Sequence, residues 1–280
     1  MARRAHRGTR GTRQLNTPPP VGHPSDVDTL ALERLAVGAW VPEVMEEADG
    51  WLLRASPAVA ADGTRTGFTG RGNSALVLTA PDGLDDLVSR LDAVRAWYAD
   101  HGLAPRLAVP LPHFARLADH LVASGWQFAH GGRVLVTTLD AVAHGEQTHS
   151  VAIAAAPDPA WCDQYHYRGG SLPDVGRRML TRGDQVGFAS IRADGEVVAI
   201  GRGSITAGWL GVNAVEVAAS HRRQGMAGAV LAALASWAQD RGAANVFLQV
   251  DLANRVAHAM YLDAGFRQHH TYRYMTPVGT

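Results

Sequence analysis

The chain repeats itself. Slid against its own sequence by 140 positions without a gap, residues 73–126 fall on residues 213–266. Asn73 meets Asn213, Val77 meets Val217 and Trp97 meets Trp237. Asp100 and Gly102 meet Asp240 and Gly242, Gly125 meets Gly265, and Trp126 meets Phe266. The order of expected elements repeats too: helix, D-x-G, strand, helix, Gly-aromatic, strand. A repeat this long is a supersecondary plan used twice. The chain is therefore expected to carry two copies of one α/β (α+β) arrangement, each a mixed central sheet flanked by helices.

Hydrophobic spacing fills in the plan. In the first copy, helices are expected over "LALERLA", "LDDLVSRLDAVRAWYADHG" and "HFARLADHLVASG", with Leu84, Leu87, Val88, Leu91, Val94 and Trp97 on the apolar stripe of the second. Strands are expected at "GWLLRAS", within "TRTGFTGRGNSALVLTA", at "RLAVP" and at "GRVLVTTL". The second copy starts with the strand "VAIAAAP" and two short helices between 158 and 182. A hairpin follows, turning at Asp194–Gly195. Next come the strand "WLGVNAVEVAAS", a helix presenting Ala227, Val230, Leu231, Leu234, Trp237 and Ala238, the strand "ANVFLQVD", the helix "NRVAHAMYLDAGF" and a last strand. The domains are set at 27–140 and 151–280, with a polar linker at 141–150. Residues 1–26, rich in Arg, Gly, Thr and Pro, are expected to be a disordered basic tail.

Composition removes several classes of function. The formal net charge is zero, so no global field draws the chain to nucleic acid or a membrane. Arg3, Arg4, Arg7, Arg10 and Arg13 lie in the tail, which leaves the body mildly acidic. Cys162 is the single cysteine, so no intramolecular disulfide can form, as suits a reducing cytoplasm. The N-terminal arginines are not followed by an apolar run, so no signal peptide is read there. The apolar stretch near 226–238 is too short to span a bilayer.

The chemistry concentrates in "SHRRQGMAG", residues 220–228, between a strand and a helix. Free N–H groups at a helix start, with the helix dipole, bind anions. Gly225 lets backbone approach a ligand, Ala227 and Gly228 are small, and Arg222 and Arg223 bring charge suited to phosphates. No Gly-Lys-Ser/Thr is present, and only one glycine of a dinucleotide fingerprint is placed. On its own the loop is moderately specific, a solvated strand–helix turn being the alternative.

Downstream, Asn254, Ala257, Tyr261, Gly265 and Phe266 fall at N-x-x-A-x-x-x-Y-x-x-x-G-F. With the loop, this run resembles the GNAT superfamily of acyl-CoA N-acyltransferases over about residues 150–277. Ala227, where many members carry glycine, is the one departure. The resemblance implies that the loop amides hold the pyrophosphate of acetyl-CoA. It implies that the pantetheine arm lies between splayed strands 212–219 and 245–251, facing backbone of Val217 and Ala219 and hydrogen-bonded by Asn254. It also implies that Tyr261 protonates the leaving thiolate. A tyrosine near pKa 10 can pass a proton to a thiolate near 8.5 once the thioester breaks.

Glu216 is the candidate general base, with His221 as an alternative and a plain surface role still open. His269, His270 and Tyr272 could line the acceptor pocket or serve as ordinary sheet residues. No metal is expected, because Cys162 is isolated and the histidine pair lacks ligand spacing.

At the 140-residue offset, the first copy replaces Arg222 by Asp82, Gly225 by Asp85, Asn254 by Phe114 and Tyr261 by Leu121. It is expected to keep the fold and lose the acyl-CoA site. Its Arg54, Arg71, Asn73 and Ser74 could reach an acidic acceptor or simply be solvated. The layout with "GWLLR" and "GFTGRGNS" also resembles actinobacterial two-part (tandem) GNAT proteins, some linked to N-acetylglutamate synthesis. The reading is thus an N-acetyltransferase acting by direct attack of a primary amine, possibly of an amino acid such as glutamate. A non-catalytic acyl-CoA sensor is the alternative. Neither a specific nucleic acid nor a membrane is expected as partner, and the oligomeric state is left open.

Overall fold

The computed structural model describes residues 23–59, 63, 65–143, 149–166 and 169–279. The expected disordered tail lies outside them up to residue 22, and Pro24–Asp26 forms a 3-10 turn. Residues 144–148 of the expected linker also lie outside them. The first copy begins with α1 (Thr29–Ala39), capped by Asp28 Oδ1, which accepts from the N–H groups of Leu30 and Ala31. Then come β1 (Val44–Ala48), β2 (Trp51–Ala55), a ribbon of β3 (Pro57–Val59) and β4 (Arg65–Gly67), and β5 (Ala75–Val77). The elements α2 (Leu84–Asp100), β6 (Leu107–Leu111), α3 (Ala115–Ala123) and β7 (Trp126–Thr138) complete it.

A short α4 (Leu139–Ala143) leads to β8 (Ala152–Ala154), α5 (Pro159–Gln164) and α6 (Asp174–Leu180). The second copy continues with β9 (Gln185–Ala193), β10 (Glu196–Thr206), β11 (Trp209–Val217), α7 (Met226–Gln239), β12 (Asn245–Asp251), α8 (Arg255–Asp263) and β13 (Arg267–Pro277). Both ends of α3 and α8 stand 140 residues apart, matching the sequence repeat.

The two expected sheets are one. Eleven strands pair in the order β1-β2-β5-β6-β13-β7-β12-β11-β10-β9-β8. The copies exchange their last strands. β13, from the second copy, pairs with β6 of the first, Thr271 opposite Leu111 and Met275 opposite Leu107. β7, from the first copy, pairs with β12 of the second, Thr138 opposite Asn245 and Gly132 opposite Asp251. Strand partners are chosen by side-chain packing and register. As β7 and β13 are equivalent copies, no local sequence signal tells either which half to serve.

The exchange has a testable consequence. Residues 151–280 alone lack β7, so β12 loses its antiparallel neighbour and β13 loses both of its own. That fragment is expected to aggregate, whereas the intact protein cut at an engineered protease site within 144–148 should elute as one species in size exclusion. A cooperative melt of the fragment at the full-length temperature would refute strand exchange as a stabilising feature.

Helices cover both faces. On one face α7 and α8 pack over the second copy, while α2 and α3 pack over the first. On the other, α1 lies across strands of both copies, its Leu32, Leu35 and Val37 clustering with Leu52, Leu76, Val136 and Phe247. Helices α5 and α6 extend that cover around Trp40 and Phe68. The buried stripe of α2 is Leu87, Leu91, Val94 and Tyr98, while Leu84 and Val88 are exposed. The 3.6-residue period carries the stripe from Leu87 on to Tyr98 and leaves the first-turn leucine outside. Among the described residues no helix is long and apolar enough to cross a membrane.

Candidate functional site

The site begins as a defect in the sheet. β11 and β12 run parallel and pair from Trp209–Asn245 to Val212–Leu248. Beyond that, pairing stops, although both strands continue to Val217 and Asp251. The cause is a β-bulge: Ala214 and Val215 stand against the single Gly201 of β10. Ala214 takes φ +53, a left-handed conformation that is uncommon for a residue with a side chain. A bulge bends its strand and strengthens the local twist, so β11 turns away from β12 and opens a gap. Gly201, opposite the bulge, lets α7 pack close, since a Cβ there would lie 2.4 Å from Val230.

Past the bulge, β11 remains paired to β10. The N–H of Ala218 donates to Val198 O at 2.8 Å. Because backbone polar groups alternate along a strand, the N–H of Val217 faces the gap. The strand stops at Val217, two residues short of the expected 219, and Ala219 belongs to a 3-10 turn, Ala219–His221. Ala219 therefore cannot present strand-like backbone to a ligand as expected. The turn is closed by His221 N–H donating to Ala218 O and by Arg222 Nε donating to Val217 O at 3.2 Å. His221 pairs with Ser220 Oγ at 2.9 Å.

The loop then reaches α7 through two left-handed residues, Arg223 at φ +61 and Gly225 at φ +79. Gly225 is the N-cap, and no side chain caps the helix. The first intrahelical bond runs from Ala229 N–H to Gly225 O, so the N–H groups of Met226, Ala227 and Gly228 lack intrahelical partners. Arg222, Arg223 and Gly228 are exposed. A Cβ at Gly228 would meet nothing within 4 Å. Its smallness leaves open space beside the bare helix end, where backbone donors and the dipole favour an anion.

Tyr261, on α8, is buried in the same core cluster as Val212, Leu248 and Val250. Its ring packs edge-on to Phe266 at 5.7 Å. Burial pushes its hydroxyl up to about 12, with the Arg71 charge pulling weakly the other way. The phenol is thus neutral at any ordinary pH. Asn254 caps α8, its Oδ1 accepting from Ala257 N–H at 3.0 Å, and its Nδ2 hydrogens remain for a ligand. Glu216 lies on the face of β11 opposite Val215 and Val217. Both of its oxygens are engaged by His166: the backbone N–H at 2.9 Å and Nδ1 at 2.8 Å. His166, in the connection after α5, sits in no sequence motif. Cys162 is buried between Trp161 and the α6 side chains, and burial raises its thiol.

A second polar region lies on the α1 face of the sheet. Glu33, Arg54, Arg71, Gln249, Tyr272 and Tyr274 line a cavity there. Of the first-copy residues singled out by sequence, Arg54 and Arg71 reach it. Asn73 and Ser74 support them: Asn73 Nδ2 donates to Phe68 O and Thr69 O, and Ser74 Oγ accepts from Arg54 Nη2 at 2.8 Å. Tyr272 lines this cavity, whereas the histidines are tied to the N-terminal region. His270 Nε2 meets Glu33 Oε1 at 2.8 Å, and His269 Nε2 meets Val27 O at 2.8 Å.

A family profile described as "Probable histone acetyltransferase Rv0428c C-terminal" matches residues 27–275. A Mycobacterium tuberculosis protein called "Probable histone acetyltransferase Rv0428c" is 31% identical over 253 residues, covering 88% of this chain and 72% of its own length. A solved structure of a GCN5-related N-acetyltransferase from Kribbella flavida superposes with TM-score 0.63 at 18% identity, over 90% of this chain and 96% of that one. A tandem GNAT protein from the clavulanic acid biosynthesis pathway gives TM-score 0.59 at 14% identity, over 86% of each chain. These matches run through both copies, so the similarity is not confined to the second.

Proposed function

The chain belongs to the GNAT-type N-acetyltransferase family, and on that footing we propose that it moves an acetyl group from acetyl-CoA to a primary amine by direct attack. One observation carries the reading: the gap between β11 and β12 is continued by an uncapped helix N-terminus. An extended arm fits the gap as an added strand would, and a pyrophosphate fits the bare N–H groups of Met226, Ala227 and Gly228. Arg222 and Arg223 add positive charge.

In this reading the free amine attacks the thioester carbonyl and forms a carbon–nitrogen bond. Charge gathers on the carbonyl oxygen, where the Val217 N–H can donate. The carbon–sulfur bond then breaks, Tyr261 gives its proton to the departing thiolate, and free CoA and an N-acetyl product result. Glu216, held by His166, receives the proton lost by the amine. The acceptor is a small molecule, with a free amino acid such as glutamate as first candidate. The family description makes a protein lysine the second reading.

Gly228→Glu tests the donor site. A Cβ there meets no protein atom within 4 Å and the position is exposed, so the melting temperature should hold within ~2–4 °C. The added carboxylate opposes a bound pyrophosphate, and acetyl-CoA affinity should fall at least about tenfold, or ~1.4 kcal/mol. Arg222→Glu should act in the same direction. Unchanged affinity in both variants, by calorimetry, would remove the pyrophosphate from this loop. The transfer itself is tested by CoA release with amino acids, polyamines and histone-tail peptides. If none stimulates release, the transfer reading fails.

A further inference from the structure

We propose that the cavity under α1, which at about 10 Å³ has room for one water, widens to receive a carboxylate of the acceptor, and that Arg71 and Arg54, both from the first copy, are its clamp. The proposal rests on the acetyltransferase reading above and specifies which amines that site accepts.

The charge balance points to it. Arg54 is 4% exposed, and Arg71 is partly buried. Arg54 Nε and Nη2 bond to Ser74, and Arg71 Nη1 donates to Asn213 Oδ1 at 2.5 Å. Arg106 stacks on Tyr274 at 5.8 Å, its buried Nε without a partner. Among the described residues no carboxylate pairs with Arg54, Arg71 or Arg106. Glu33 is the carboxylate that lines the cavity, and His270 engages it. Buried charge is costly unless it is paired. Two guanidinium groups thus line the cavity against one carboxylate that His270 already engages, and a ligand carboxylate would offset the excess positive charge in the planar geometry that a guanidinium matches.

Neutral groups in the region are also left short. Gln249 Oε1, in the cavity lining, and Asn213 Nδ2, on a residue 6% exposed, are buried with no partner. An unpaired acceptor thus lies in the cavity lining and an unpaired donor on Asn213, the partner of Arg71, as a ligand bearing both an N–H group and a carboxylate requires. Asn213 also marks where β11 begins to leave β12, so Arg71 is moored at the mouth of the proposed acetyl site. Its charge is felt at the Tyr261 hydroxyl.

Arg71 is held rigidly for such a role. Its loop, "FTGRGN", is pinned by Asn73 to Phe68 O and Thr69 O, by Ser74 Oγ to Gly70 O, and by Trp40 Nε1 to Thr69 Oγ1. The guanidinium also lies 5.4 Å from the Trp40 ring centre. Preorganised loops of this kind position charge rather than merely connect strands. A first copy without an acyl-CoA loop thus acquires a function: it completes the acceptor pocket of the second.

The test compares amino acids with their C-terminal amides as probes of the wild-type protein, by calorimetric binding and by CoA release. The expected result is at least a tenfold preference for the free acid over its amide. Arg71→Met should erase that preference while acetyl-CoA affinity changes less than twofold. Arg71→Lys should retain part of it, which separates lost charge from lost folding. Equal binding of acid and amide overturns the clamp, as does an absence of amino-acid binding while another amine is acetylated. In either case the acetyltransferase reading survives. Failure of that reading shows separately, as no acetyl-CoA binding or no acceptor at all.

Discussion

Tyr261→Phe is expected to lower kcat by about a hundredfold or more, since a positioned general acid contributes ~10²–10⁴. Acetyl-CoA affinity should stay within twofold of wild type. The hydroxyl has no hydrogen-bond partner among the described residues, so its removal breaks no internal bond, and the ring keeps its contact with Phe266. The variant should therefore fold normally and bind normally, failing only when the thiolate must leave. A drop in kcat with unchanged acetyl-CoA binding marks an interaction made in the transition state. Equal turnover by Tyr261→Phe would take the proton-donor role away from this residue.

The pH dependence follows from burial. A tyrosine donates only when protonated, and burial pushes Tyr261 up to about 12. The acid is present throughout the neutral and mildly alkaline range, so kcat should show no alkaline loss from this group below about pH 10. Stability behaves differently. The folded-state value is raised above the unfolded one near 10, so its contribution is complete below ~10 and disappears as pH climbs towards 12. Tyr98, Tyr272 and Tyr274 are also raised by burial and act in the same direction. Far-UV circular dichroism against pH should show cooperative alkaline unfolding, accompanied by tyrosinate absorbance at the same midpoint. Tyrosinate appearing well before unfolding would contradict the burial of these side chains.

Arg202→Met is expected to cost about 3–5 kcal/mol of folding stability, because each orphaned buried carbonyl costs ~1–3 kcal/mol. Arg202 is fully buried, its Nε donating to Leu180 O, Nη1 to Ala39 O and Nη2 to Arg182 O. Burial, with repulsion from Arg71, pushes its pKa down to about 9, which leaves it charged at neutral pH. One side chain thereby joins α1, from the first copy, to the segment after α6 in the second. Methionine fills much of the volume and bonds none of the carbonyls. Relief of the desolvated charge offsets part of the loss, which keeps the estimate at the lower end of a sum over three groups. Lysine should not rescue it, since a single ammonium cannot span carbonyls arranged for a planar fork. Urea unfolding measures the difference, and a loss below ~1 kcal/mol would show that the carbonyls find other partners.

Local chemistry was legible in the residues themselves. Helical spacing located α7 and α8, Asp194–Gly195 marked its turn, and "SHRRQGMAG" announced an uncapped helix start because Gly225 supplies a left-handed N-cap without a capping side chain. Such signals lie within a few residues of one another, where backbone geometry and period decide the outcome. The repeat also sets the two copies apart at the proposed acyl-CoA loop, since Asp82 and Asp85 stand where the second copy has Arg222 and Gly225. Other features depended on residues far apart in the chain. The exchange of β7 and β13 is invisible locally, as equivalent strands carry equivalent patterns and only packing against the whole sheet separates the pairings. The bulge at Ala214 shows in no turn residue of its own strand. It stands opposite Gly201 of β10, where Val230 of α7 leaves no room for a side chain. Arg54 and Arg71 could be named from sequence, but not their gathering beneath α1 without a carboxylate partner. That requires β2, the "FTGRGN" loop, β12 and β13 to meet, because burial and the energy of an unpaired charge are properties of the folded surroundings and not of an arginine.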